Sequence, residues 1–145
     1  MRIREVLRKK GTEVVTAEPE ETIPAIVERL NDRRIGALVV TGTVGDVVGI
    51  VTERDVMRNY AECIGAAAES PVKVAEIMST ELIIGVPDDR IQYAMRVMTR
   101  ERIRHLPILD GRQLAGIISI GDIVKALMDE IEFENRMLKD YIQGA

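Results

Sequence analysis

Apolar positions recur along the chain in two rhythms, and the same succession is written twice. Ile23, Ile26, Val27 and Leu30 stand three and four residues apart, as do Ile91, Ala94, Met95 and Met98, which predicts one buried helical face in each half. Ahead of each helix lies a short run rich in β-branched residues, Glu13 to Ala17 and Leu82 to Val86, which predicts a strand. Behind it come two more apolar runs. Ala37–Val40 and Val47–Val51 flank the turn Thr41 to Asp46, and Leu106–Leu109 and Leu114–Ser119 flank the tight-turn dipeptide Asp110-Gly111. A short amphipathic turn opens each copy (Ile3, Val6, Leu7; Val74, Ile77, Met78), and a second helix follows each hairpin. The predicted order is β-α-β-β-α, twice, an α/β (α+β) fold.

The copies superpose residue by residue. Pro19, Ile23, Leu30, Ile35 and Leu38 match Pro87, Ile91, Met98, Ile103 and Leu106, 68 positions later, and Gly49, Ile50, Thr52 and Asp55 match Gly116, Ile117, Ser119 and Asp122, 67 positions later. Ile3, Glu5 and Val6 match Val74, Glu76 and Ile77 at 71, so copy one carries three extra residues around Arg8 to Gly11, in what reads as a charged loop. The expected boundaries are 2–60 for the first repeat, 61–72 for a linker of small and polar residues, 73–129 for the second repeat and 130–145 for a C-terminal helical extension. Two copies are too few for a solenoid, so the repeats are expected to pack face to face with pseudo-twofold symmetry. In the extension, Leu127, Ile131, Leu138, Tyr141 and Ile142 share a stripe, for packing on the same chain or for a dimer contact.

Composition narrows the classes. Hydrophobic residues make up 46% and aromatics 3%, so the core is aliphatic. The net charge of −4 argues against nucleic acid as a partner, since phosphate neutralisation calls for a basic excess. A single cysteine, Cys63, allows no internal disulfide or CxxC metal site, and fits a cytoplasmic setting. The charged N-terminus is unlike a signal peptide, and no apolar run is long enough to span a membrane.

The candidate chemistry sits where a strand becomes a helix: Gly49-Ile50-Val51-Thr52-Glu53-Arg54-Asp55 and Gly116-Ile117-Ile118-Ser119-Ile120-Gly121-Asp122. A hydroxyl followed three residues later by an acid is a helix capping box. The same geometry also suits a ligand. Free N–H groups and the helix dipole attract phosphate, a carboxylate can accept ribose hydroxyls, and a glycine lets a ligand approach the backbone. The residues alone leave both explanations open.

Two β-α-β-β-α repeats, each closing in G-h-h-[S/T]-x-x-D, resemble a tandem pair of CBS domains, the cystathionine-β-synthase-type regulatory repeat. Arg104-His105-Leu106-Pro107-Ile108 resembles that family's basic-Leu-Pro-Val segment. The resemblance implies adenosine-containing ligands bound in clefts between the two repeats, AMP first and ATP or NAD next, with no metal. It implies that Asp55 and Asp122 hold ribose hydroxyls and that Thr52 and Ser119 contact ribose or phosphate. It further implies that Val15, Thr16 and Ala17, with Ile83, Ile84 and Gly85, meet the adenine edge, and that Arg104 and His105 face phosphate, with Arg54 a further cation. Copy one has Gly36 and Ala37 in place of Arg104 and His105, and Val39 in place of Pro107, so two unequal sites are expected.

The sequence offers no nucleophile with a base, and its one histidine cannot build a multi-histidine metal site. The expected function is a non-catalytic nucleotide sensor acting on an unnamed downstream protein. The alternative is a structural dimerisation module with no ligand. The resemblance implies a homodimer.

Overall fold

The computed structural model describes residues 1–65 and 70–144; residues 66–69 of the expected linker, and Ala145 at the end of the expected extension, lie outside the described residues. In chain order the elements are α1 (Ile3–Lys10), β1 (Thr16–Ala17), α2 (Ile23–Arg33), β2 (Ala37–Thr41), β3 (Val47–Thr52), α3 (Glu53–Arg58), α4 (Tyr60–Gly65), α5 (Val74–Ile77), α6 (Ile91–Glu101), β4 (His105–Asp110), β5 (Gln113–Ser119) and α7 (Ile120–Gly144). They gather into two compact units, one of Glu13–Ile83 and one of Met1–Thr12 with Ile84–Ala145. The leading turn of each sequence copy therefore belongs to the unit that holds the other copy's hairpin.

In the Glu13–Ile83 unit, β1 runs parallel to β2, with Thr16 opposite Val39, and β3 pairs antiparallel to β2, with Ala37 opposite Thr52. Ile23, Ile26 and Leu30 of α2 form a core with Leu38, Val40 and Val51 of the sheet and with Val74 and Ile77 of α5. The α5 turn is tied in through the backbone. Ile50 and Ser79 exchange two bonds, N–H to carbonyl, at 3.0 and 2.9 Å. Cys63 lies on α4, half-buried against this core, where burial first and then nearby Glu62 push its thiol up.

In the other unit β4 and β5 form an antiparallel hairpin with His105 opposite Ser119. Ile3, Ile91, Met98, Leu106, Ile108, Ile118 and Ile123 are all almost fully buried. The turn of this hairpin falls on Gly111 and Arg112, with Gly111 at φ 64° and Asp110 still paired to Gln113.

The helical stripes follow the three-and-four spacing, except at their margin. Val27 is 43% exposed, and in α6 the buried arc shifts to take in Val97. Both helices end alike. Arg34 and Arg102 adopt left-handed φ of 53° and 56°, and the following N–H groups of Ile35 and Ile103 donate back to Leu30 and Met98 at 3.1 and 3.0 Å, the closure of a Schellman motif.

Three expectations change. The strand expected over Leu82–Val86 is a single parallel bridge, Gly85 with Ile108. The Gly85 N–H donates to the Pro107 carbonyl at 2.9 Å, and the Leu109 N–H donates to the Gly85 carbonyl at 3.0 Å. One step further toward Ile83 the ladder needs an N–H at position 107, which proline lacks. Copy one has Val39 there and forms its two-residue strand, also shorter than the expected Glu13–Ala17. Second, Arg8 to Lys10 are not loop but the last turn of α1, which ends at Gly11 with φ 99°. Third, of the tail stripe only Leu127 is half-buried, and from Ile131 onward it does not pack on its own chain. All residues from Ile131 to Gly144 are exposed. The reason is length: at about 1.5 Å per residue, 25-residue α7 far outruns 11-residue α6, on which it packs.

Candidate functional site

The end of β3 and the start of α3 form one hydrogen-bonded cluster. Thr52 is the N-cap, and its Oγ1 accepts from the Asp55 N–H at 3.1 Å. Asp55 reaches back, its Oδ2 accepting from the Thr52 N–H at 2.8 Å and from the Thr52 hydroxyl at 3.0 Å. The Glu53 N–H donates to the Gly36 carbonyl at 2.9 Å, which sets Gly36 and Ala37 beside Thr52.

The other unit repeats this arrangement. Ser119 Oγ accepts from the Asp122 N–H at 3.1 Å, and Asp122 Oδ2 accepts from the Ser119 N–H at 2.8 Å. The Ile120 N–H donates to the Arg104 carbonyl at 2.8 Å, so Arg104, His105, Ser119 and Asp122 converge. The capping explanation is thus realised in both halves. Capping engages only one carboxylate oxygen of each acid. Among the described residues, Oδ1 of Asp55 and Oδ1 of Asp122 accept no hydrogen bond.

The remaining candidates are placed as follows. Val15 and Thr16 line an open groove of about 440 Å³ with Arg29, whose guanidinium donates to the Thr16 carbonyl at 2.9 Å. One backbone acceptor on that edge is therefore already engaged. Ala17, Ala37, Leu106 and Pro107 are buried and their side chains build the core, and Gly85 is buried against the side chains of Ile108 and Leu106. Ile83 is half-buried, and Ile84 presents an apolar side chain at 42% exposure. Arg54 is exposed in the first turn of α3 and forms no ion pair among the described residues.

The motif glycines serve packing. A Cβ on Gly116 would lie 2.5 Å from Leu7 Cδ2, and one on Gly49 would lie 2.8 Å from Met78 Sδ. Leu7 and Met78 are equivalent positions of the two leading turns, 71 residues apart. Each glycine makes room for the turn docked on its strand.

Sequence reasoning missed Lys10. Its Nζ donates to Asp122 Oδ2 at 2.6 Å and to the Ile117 carbonyl at 2.8 Å. Partial burial alone would push the Asp122 carboxyl up, but the Lys10 ammonium and the Ser119 N–H outweigh it and hold the carboxyl below its usual range. The available signal was the three-residue excess of copy one around Arg8 to Gly11. Among the described residues, no group of three or more His, Cys, Asp or Glu is placed to hold a metal ion, and no helix is long and apolar enough to cross a membrane.

Comparison with known proteins agrees with this geometry. The CBS domain pattern matches residues 3–62 and again 74–129. The chain belongs to the CBS domain family and carries two such domains in tandem. It is 33% identical over 150 residues to the mitochondrial CBS domain-containing protein CBSX3 of Arabidopsis thaliana, covering 98% of this chain and 72% of that one. The crystal structure of the CBS-domain containing protein ATU1752 from Agrobacterium tumefaciens superposes with a TM-score of 0.79 at 38% identity, over 86% of this chain and 92% of that one. The CBS domain pair of protein MJ0100, solved with 5′-methylthioadenosine and S-adenosyl-L-methionine, has the same fold at 21% identity and a TM-score of 0.77, over 90% of this chain and 98% of that one.

Proposed function

We propose that the chain is a regulatory module that binds an adenosine-containing nucleotide, AMP before ATP or NAD, and passes its bound state to a partner protein without catalysing a reaction. The supporting observation is the Oδ1 on Asp55 and on Asp122, unengaged among the described residues, each held by a complete capping box at a helix start. An ionised carboxylate accepts strong, charge-assisted bonds from hydroxyls, and its fixed orientation lowers the ordering cost of binding. The adenosine ligands named for the MJ0100 pair support the same class of molecule. Binding acts on the partner only through different affinities for the states it selects.

We also propose a homodimer, with the exposed stripe of α7 as the contact: Ile131, Leu138 and Tyr141 are 57%, 61% and 79% exposed. The completed capping boxes favour a second possibility, a scaffold in which Thr52-x-x-Asp55 and Ser119-x-x-Asp122 only start helices.

Thermal melting separates the two. A ligand of the native state adds RT ln(1 + [L]/Kd) to stability, so AMP, ATP or NAD at millimolar concentration raises the melting temperature if the sensor assignment is right. Asp55→Asn then weakens binding at its half roughly 10- to 150-fold, the worth of about 1.5–3 kcal/mol for a hydrogen bond to a charged group. No shift with any of the three nucleotides leaves the scaffold.

A further inference from the structure

The two halves differ at one point that neither capping nor packing requires. In the Glu13–Ile83 unit the Ile50 carbonyl accepts from the Ser79 N–H at 2.9 Å, because α5 stops at Ile77 and the chain turns into a bridge with β3. Ile117 stands at the equivalent place, 67 residues on. There α1 does not stop. It continues through the three-residue excess to Lys10, and the lysine side chain supplies the donor to Ile117 that a backbone N–H supplies to Ile50. A neutral bridge in one half is replaced by a cation in the other. That cation also touches the carboxylate, at 2.6 Å from Asp122 Oδ2, whereas Asp55 meets no lysine or arginine among the described residues.

An ammonium has three donors. Two are taken, by Asp122 and Ile117, and a third of the Lys10 side chain stays accessible. Oδ2 of Asp122 already accepts from both Lys10 and the Ser119 N–H, so a sugar hydroxyl has Oδ1 to bind. A nucleoside seated there lies against a lysine whose charge the Asp122 carboxylate matches and whose third N–H has no acceptor among the described residues. The start of α7 adds partial positive charge at the same spot. A neutral sugar brings no anionic acceptor to that N–H, and a phosphate on the same sugar takes it in a charge-assisted bond.

We propose that Lys10 determines specificity in the Asp122 half, making it discriminate for adenosine ligands that carry a phosphate next to the ribose. This rests on the nucleotide-binding assignment above and adds the chemical class that one half selects. The lysine is a positioning and binding group delivered by the N-terminal helix, and the Asp55 half has no counterpart.

The test is calorimetric titration with adenosine and with AMP of three proteins, each carrying Asp55→Asn so that the Asp122 half dominates the signal: Lys10 intact, Lys10→Met and Lys10→Arg. The ratio of AMP to adenosine affinity should fall about tenfold in Lys10→Met, the worth of one charge-assisted bond. Lys10→Arg should keep it within about threefold, since the charge is retained. A merely structural Lys10 would lower the melting temperature in Lys10→Met and leave the ratio unchanged, and that result overturns the proposal. If the Asp55→Asn protein binds neither ligand while the unsubstituted protein binds AMP, the Asp122 half takes no nucleotide and the proposal also falls. If the unsubstituted protein binds no adenine nucleotide at all, the failure lies in the proposed function itself.

Discussion

Gly116→Ala tests the docking of α1 on β5, the contact that places Lys10 beside Asp122. The added Cβ would stand 2.5 Å from Leu7 Cδ2, with Leu7 Cδ1 and Cγ at 3.3 and 3.5 Å. Carbon atoms prefer about 3.5–4.0 Å, so the leucine must retreat by about 1 Å. It cannot swing into solvent, because Leu7 is only 4% exposed and sits among core residues. Overpacking of this kind costs about 1–3 kcal/mol. Replacing glycine recovers about 0.4–1 kcal/mol by restricting the unfolded chain, so mid-range values leave a net loss of about 1.3 kcal/mol. For 145 residues that is a fall of about 4 °C in melting temperature. Gly121→Ala is the control, because its Cβ would meet only Ser119 Oγ, at 3.7 Å, in the first turn of α7. It should melt at or above the unsubstituted protein. Leu7→Ala relieves the clash, so the double substitution Leu7→Ala/Gly116→Ala should be no less stable than Leu7→Ala alone, a coupling that a double-mutant cycle measures. Gly116→Ala melting unchanged, or full additivity in the double, would refute the packing argument.

Two further outcomes follow from the same structure. Asp122 has its carboxyl held below the usual range, so its contribution to stability is complete above the unfolded pKa of about 3.9 and is lost as pH falls through the lower folded value; the stability advantage of the unsubstituted protein over Lys10→Met should therefore shrink in melting curves as pH falls below about 4, and a gap that stays constant contradicts the pairing. Leu138→Glu, on the exposed stripe of α7, should shift the mass measured by light scattering from dimer to monomer without changing the melting profile of the monomer, and an unchanged mass removes the stripe from the interface.

Much of this architecture is written in local spacing. Ile23, Ile26 and Leu30 mark a buried helical face because a helix returns every three to four residues, and Gly111 marks a turn because its φ of 64° suits glycine. The capping boxes are equally local, since Thr52 and Asp55 satisfy each other across three residues. What local spacing cannot encode is which core an amphipathic turn joins. Ile3, Val6 and Leu7 read as apolar on one side, and nothing within α1 says that its partner strand lies at Gly116, more than 100 residues away. The reduction of the second copy's first strand to one bridge depended on a missing N–H at Pro107, a donor that matters only once the register is known. Lys10 was hidden for the same reason. In sequence it is one of three consecutive basic residues at a helix end, where cations suit the dipole, and its bond to Asp122 spans 112 positions.

The central claim is that Asp55 and Asp122 each offer an oriented oxygen to a ribose, and the sugar itself is the sharpest probe of it. Calorimetric titration of the unsubstituted protein should be run with AMP and with its 2′,3′-dideoxy analogue, which keeps the adenine and the phosphate and lacks both hydroxyls. AMP should bind, and the analogue should bind at least about tenfold more weakly, as expected when hydrogen bonds to a charged acceptor are lost. Equal affinity for the two, or no heat from either, would show that these carboxylates do nothing beyond starting their helices.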